Sequence, residues 1–341
     1  PYYEEALKRD PGDYRTNTAL GLLLIKRAMY REAEEKLRRA VERATKNYTR
    51  PKDGEALYYL GLALRAQGKI GEAEDFFGRA AWNLGWRAAS LYELAELACL
   101  RGNFKQALEL AEESLETNSL NSKALDLKAA LLRKLDRSRE ARDTVSGALG
   151  LDPLDFWAAN ELYLLKNIGI QEDVGRVHQD LMRAMRDAEP NYLELAADYG
   201  ACGLWDEAIG VLGRLEGLVR KEAKAFPLVH YFQAFYWDKK GNGTNALDEL
   251  RRAAAQPPDF GFPFQSESID VLRWAQSRNP KDGRAPYYLG NYMFDLQPEA
   301  AMEEWTKSVT LDPTNSVALR NLGLAYARVK NDIPQAVACY E

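Results

Sequence analysis

A small residue returns every 34 positions through the middle of this chain. Ala73, Ala107 and Ala141 are 34 residues apart, a further 34 lands on Gly175, and 33 more reach Ala208. The surrounding frames share a character. They read GEAEDFF, KQALELA, REARDTV and DEAIGVL, with REAEEKL around Ala33, NALDEL around Ala246, EAAMEEW around Ala301 and PQAVACY around Ala336. Self-similarity with a period of roughly 20–50 residues marks stacked supersecondary units, each too small to bury its own apolar face.

The unit can be read from its parts. About a dozen residues before each small residue stands a Leu-Gly or Leu-Ala pair: Leu20-Gly21, Leu60-Gly61, Leu94-Ala95, Leu195-Ala196, Leu289-Gly290 and Leu322-Gly323. Between the two marks lies a turn, often with glycine, as in AQGKI, LRGNF, ACGLW and KKGNG. About twelve residues after the small residue comes a stop, Asp152-Pro153 or Asp312-Pro313, with Asp10-Pro11 and Asn279-Pro280 closing partial units. The residue before a proline is pushed out of helical geometry, so a second helix ends there. Apolar positions at Leu57, Leu60 and Leu64, then at Ile70, Ala73, Phe77 and Ala80, follow the helical period. Each unit is therefore expected to be helix–turn–helix, with Gly61 and Ala73 where the two helices cross closely.

These marks resemble the tetratricopeptide repeat family, whose pattern of large residue, Leu-Gly, aromatic, Ala, aromatic, Ala is matched by Leu57, Leu60-Gly61, Leu64, Ala73, Phe77 and Ala80. The resemblance implies an all-α fold, a right-handed superhelical solenoid of helix-turn-helix repeats. The expected organisation is an array over residues 1–260, with its first unit incomplete and a degenerate unit at 156–188. A half-repeat with an irregular aromatic loop follows at 261–282, and residues 283–341 hold C-terminal units, the last truncated. Both ends fall inside a repeat, so further sequence is expected beyond them. The stretch FPFQSESIDVLRWAQSRNPKDGRAPYYLG is similar to bacterial proteins of this superfamily whose repeats follow a β-rich domain of unknown function. That similarity implies a β-rich domain preceding residue 1 of the same polypeptide.

Composition narrows the function classes. The 341 residues are 46% hydrophobic and 28% charged, with a net charge of −5. This balance suits a folded chain and supplies no basic footprint for nucleic acid. Apolar runs are short, such as Leu22 to Ile25, whereas a spanning helix needs roughly 20 residues, so no membrane insertion is expected. Cys99, Cys202 and Cys339 are odd in number and far apart, which suits a reducing, cytoplasmic setting rather than a disulfide framework. Neither the cysteines nor His178 and His230 form a metal-ligand spacing, and no phosphate loop, HExxH or GxSxG occurs. No cofactor, metal or catalytic residue is assigned, and the chain is read as a non-enzyme. Glu93 and Glu96 lie three apart like an acid/base pair, but helical proteins abound in such pairs, and the structural reading is preferred. His230 is expected to be packed and His178 to be at the surface.

The resemblance also implies where a partner docks, because the first helix of each tetratricopeptide pair lines a concave groove. Its fifth position reads Thr18, Tyr58, Tyr92, Asp126, Asn160, Leu193, Tyr231, Tyr287 and Arg320. The candidate groove residues are Tyr58, Tyr92, Glu93, Glu96, Asp126, Glu161, Glu194, Tyr231, Tyr287 and Asn291. The acids among them suggest a basic partner, and the tyrosines could stack on a peptide or a sugar. The Lys/Asn grip on a terminal carboxylate used by some members is absent at Tyr58/Leu62 and Tyr92/Glu96. Half of it is present at Tyr287/Asn291, followed by Asn321. The aromatic-rich VHYFQAFYWDKKG and the later Phe260, Phe262 and Phe264 are either covered by the half-unit loop or line a cleft. The expected function is a non-catalytic scaffold holding a peptide or partner protein. The alternative is the repeat portion of a larger, carbohydrate-active enzyme whose catalytic domain lies elsewhere.

Overall fold

The computed structural model describes residues 2–47, 50–167, 174–222, 226–257 and 261–341. Among these residues there are helices and no strand. The chain divides into two compact units, one of residues 1–186 with 201–203, the other of residues 187–200 and 204–341.

In the first unit a lone helix, α1 (Tyr2–Arg9), precedes five hairpins: α2 (Tyr14–Lys26) with α3 (Tyr30–Thr45), α4 (Glu55–Arg65) with α5 (Ile70–Ala80), α6 (Leu84–Leu100) with α7 (Phe104–Thr117), α8 (Ser122–Lys134) with α9 (Ser138–Leu151), and α10 (Phe156–Asn167) with α11 (Val174–Met185). Each helix packs on the next in sequence. The first helices also pack on each other, α2 on α4, α4 on α6, α6 on α8 and α8 on α10. That nearest-neighbour pattern is the architecture of an all-α repeat solenoid.

The second unit holds α12 (Glu189–Ala201) with α13 (Trp205–Glu222), α14 (Pro227–Lys239) with α15 (Gly243–Ala255), the single helix α16 (Glu267–Arg278), α17 (Arg284–Met293) with α18 (Pro298–Leu311), and α19 (Ser316–Ala325) with α20 (Ile333–Tyr340). A π-turn, Tyr326–Lys330, closes α19. The single helix α16 packs on α14 and α17.

Local chemistry starts and stops these helices. Asp13, Asn103, Asn121, Asn242, Asn315 and Asp332 accept a hydrogen bond from a backbone N–H of the first turn they precede. The hairpin turns need a left-handed residue, and Gly68 and Gly102, 34 apart, supply it at φ of 73° and 75°. The next position in phase is Asp136, which adopts φ of 59° despite its side chain. Serine then ties two hairpins shut: Ser114 Oγ donates to the Ala88 carbonyl at 2.7 Å and Ser308 Oγ to that of Gly283 at 2.6 Å.

Three hairpins close through a notch. A β-carbon on Gly61 would stand 2.5 Å from Phe77 Cε1, one on Gly21 the same distance from Leu37 Cγ, and one on Gly290 the same distance from Trp305 Cδ1. In these three hairpins the first helix therefore presents bare backbone to a large side chain from the second, whereas α6 and α12 carry Ala95 and Ala196 at the corresponding mark. Ala73 and Ala80 are fully buried beside Phe77. Neighbouring helices bury much of the aromatic stretch on α14. Tyr231, Phe232 and Tyr236 are inside, Trp205 of α13 stacks on Tyr236 at 5.9 Å, and Trp274 of α16 meets Phe235 edge-on at 5.6 Å. Phe262 and Phe264 stay exposed, while Phe260 and residues 168–173 of the degenerate repeat lie outside the described residues.

Gly61→Ala is expected to destabilise the chain by about 1–3 kcal/mol through overpacking against Phe77. Gly71→Ala, whose new β-carbon would meet nothing within 4 Å, should be neutral or stabilise by up to about 1 kcal/mol. Thermal melts of the two variants check the contrast.

Candidate functional site

The acidic residues expected in the groove are placed as follows. On α6, Glu93 and Glu96 are both buried and share one cation, Arg65 from the end of α4. Arg65 Nη1 contacts Glu93 Oε2 and lies 2.5 Å from Glu96 Oε2. Tyr58 joins them, donating its hydroxyl to Glu93 Oε1 at 3.3 Å while its ring stacks on Trp86 at 5.1 Å. Burial raises the Glu93 carboxyl above its ordinary value, opposed by Arg65 and reinforced by Glu96. Burial pulls Arg65 down, but the two carboxylates outweigh it and hold the guanidinium above its usual range. Glu93 and Glu96 are thus an ion cluster locked to an arginine, not a free acid/base pair.

The arrangement repeats two units later. Glu161 on α10 is fully buried and meets Arg133 from the end of α8, Nε to Oε2 at 2.6 Å and Nη2 to Oε1 at 3.1 Å. Arg65 to Glu93 and Arg133 to Glu161 are each 28 residues apart. That recurring offset is the signal by which the two arginines could have been found in the sequence. The expectation of an acidic surface is corrected accordingly, because Glu93, Glu96 and Glu161 hold arginines of the same chain. Asp126 is buried, Tyr92 is half-buried, and Glu194 is exposed.

Two further expectations are corrected. Tyr231 is not at a surface: α16 and α17 cover α14, so its ring meets Tyr288 edge-on at 6.1 Å and its hydroxyl donates to Asp282 Oδ2 at 2.6 Å. His178 is half-buried with its ring 5.1 Å from that of Tyr163. His230, expected to be packed, is half-buried with Nδ1 2.8 Å from Glu249 Oε2. Among the described residues no group of His, Cys, Asp and Glu is disposed to hold a metal ion.

Tyr287 and Asn291 remain together at an open pocket of about 420 Å³ within the second unit. Asn291 and Tyr287 come from α17, Arg320, Asn321 and Leu324 from α19, Trp305 from α18, and Phe262 from the segment before α16. The polar groups form a chain with a fixed direction. Trp305 Nε1 donates to Asn291 Oδ1 at 3.0 Å, Asn321 Nδ2 donates to the same oxygen at 3.1 Å, and Arg320 Nη2 donates to Asn321 Oδ1 at 3.1 Å. Indole and guanidinium nitrogens only donate, so they orient both amides. Asn291 Nδ2 keeps no partner among the described residues, so the polar floor of the pocket offers donors and the Arg320 charge. Sequence reasoning found Tyr287, Asn291 and the fifth-position Arg320, and missed Trp305 and Leu324 as walls.

Elsewhere in this unit Glu189, the first residue of α12, is half-buried with Oε1 unpartnered among the described residues, and burial lifts its carboxyl from 4.5 to about 7. The folded chain therefore binds a proton that the unfolded chain has released. Stability is greatest below pH 4.5 for this group and falls as pH rises through about 7.

The fold places the chain among all-α proteins built of repeated helical hairpins. Residues 18–92 match the family model described as tetratricopeptide repeat. Solved structures give low-identity likenesses. A tetratricopeptide repeat protein from Parabacteroides merdae is 16% identical, with 92% of this chain and 98% of that one covered and a TM-score of 0.41. The C-terminal part of a TPR repeat-containing protein from Cytophaga hutchinsonii is 13% identical over 94% and 92%, with a TM-score of 0.40. Yeast Tom70 is 18% identical over 92% of this chain and 63% of its own, with a TM-score of 0.42. No helix among the described residues is long and apolar enough to cross a membrane.

Arg133→Met alone is expected to lose on the order of 3–5 kcal/mol by removing both hydrogen bonds from the arginine to the buried Glu161 carboxylate, and Arg133→Met with Glu161→Leu to regain more than half of it; denaturant melts measure both. Glu189→Gln should raise Tm at pH 8 and leave it nearly unchanged at pH 4. Above pH 7 the gain is on the order of 3 kcal/mol.

Proposed function

We propose that this chain is a non-catalytic protein-binding scaffold and that the pocket between α17 and α19 holds a segment of its partner. The observation that carries the reading is the one-way polar chain at the pocket floor. Asn291 Nδ2 and Arg320 can donate there, and Phe262, Phe294, Trp305 and Leu324 form apolar walls. A backbone segment in extended form presents carbonyl acceptors between side chains, which suits donors set beside apolar walls. The charge at the rim is positive, so the occupant favoured here bears acceptors rather than a basic side chain. Glu93, Glu96 and Glu161 support the same choice, since their negative charges are already engaged by Arg65 and Arg133.

Cytoplasmic placement is part of this proposal, supported by three cysteines held as free thiols. A β-rich companion domain preceding these repeats is compatible with a scaffold role and remains part of the proposal only.

The test is a peptide selection against the full chain, followed by fluorescence polarisation on the selected sequences. Arg320→Ala and Leu324→Asp, both at exposed positions, are each expected to weaken binding at least tenfold, about 1.4 kcal/mol, without moving Tm. Selected peptides that bind both variants as tightly as the parent would contradict the assignment of this pocket.

A further inference from the structure

Cys99 and Cys202 are 103 residues apart in sequence and meet in the first unit. Cys99 lies in the last turn of α6, and Cys202 lies in the turn Ala201–Gly203; both thiols are buried. Cys202 Sγ is 4.0 Å from Glu96 Oε1, one helical turn before Cys99 on the same face of α6. The backbones are in close contact, because a β-carbon on Gly203 would stand 3.0 Å from the Leu100 Cα and 2.9 Å from its Cδ1. Arg65 Nη2 holds the same turn from α4, donating to the Ala201 carbonyl at 3.4 Å.

We propose that Cys99 and Cys202 are a dithiol pair that closes to a disulfide when the chain meets an oxidised low-molecular-weight disulfide such as glutathione disulfide. One protein thiol gives up its proton and attacks a glutathione sulfur, whose S–S bond breaks to release one glutathione thiolate. The second protein thiol gives up its proton and attacks the protein sulfur of that mixed disulfide, releasing the other glutathione. The two protein thiols are oxidised, one glutathione disulfide is reduced to two glutathiones, and the released protons go to the departing thiolates. The bond would fasten α6 to the turn beside the Arg65–Glu93–Glu96 cluster.

The surroundings set the rate. The Cys99 thiol, burial and the Glu96 carboxylate push the Cys202 thiol well above its ordinary range, against Arg65. Attack by thiolate is therefore slow at neutral pH and requires the turn to open. Cys339, half-exposed on α20, serves as an internal reference.

The experiment incubates the full chain with glutathione buffers of rising oxidised fraction. Free thiols are then blocked with N-ethylmaleimide, and the chain is digested without reduction for mass spectrometry. The expected product is a linked pair of peptides carrying Cys99 and Cys202, with two hydrogens lost, and a higher Tm that dithiothreitol abolishes. Cys339→Ser should retain both results, whereas Cys99→Ser should yield only a Cys202–glutathione mixed disulfide and no rise in Tm. The proposal is overturned if Cys339 takes up glutathione while Cys99 and Cys202 remain alkylated, or if each carries its own glutathione with no link between them. The parent chain alone decides the first point, so the result does not depend on the folding of the Cys99 variant.

Discussion

Three hairpins of this molecule close on a large side chain entering a helix that has no side chain at the point of entry. Phe77 over Gly61, Leu37 over Gly21 and Trp305 over Gly290 are the same contact in three hairpins. The glycine is required because its partner already fills the space a β-carbon would take. Dispersion and apolar burial per contact are modest, but the contact recurs with the repeat, and each hairpin then offers a flat face to the next. The alanines that mark the 34-residue period, Ala73, Ala107 and Ala141, are all fully buried where the second helices pack.

A second interaction is laid over the first at wider intervals. Arg65 and Arg133 each stand at the end of a first helix and reach a glutamate 28 residues later on the next first helix. An ion pair of this kind adds little net stability over apolar packing, but it penalises any register in which one partner is left alone. Burial against these arginines leaves Glu93, Glu96 and Glu161 with little exposed charge. The open pocket in the second unit differs because its polar chain ends in donors with no acceptor among the described residues, and Arg320 is exposed.

Much of the fold was legible from spacing alone. The glycine and alanine marks, the hairpin turns and the proline stops each reflect a local backbone demand that no distant residue can alter. The site was less legible. Tyr231 stands at the expected helix position, yet its ring meets Tyr288 of α17 and its hydroxyl is held by Asp282, neither of which is near it in sequence. Glu161 and Glu93 read as free charges because their arginines are distant in sequence, although the common 28-residue offset was there to be seen. The meeting of Cys99 with Cys202 had no local signal, since the two are 103 residues apart.

The central claim, that hairpin closure depends on the glycine notch, is tested most directly by a double-mutant cycle on Gly61→Ala and Phe77→Leu. If Phe77 fills the notch, the smaller leucine makes room for the new methyl group. The double variant should then be more stable than the sum of the single losses by at least about 1 kcal/mol in denaturant melts. Strict additivity of the two losses would contradict the account.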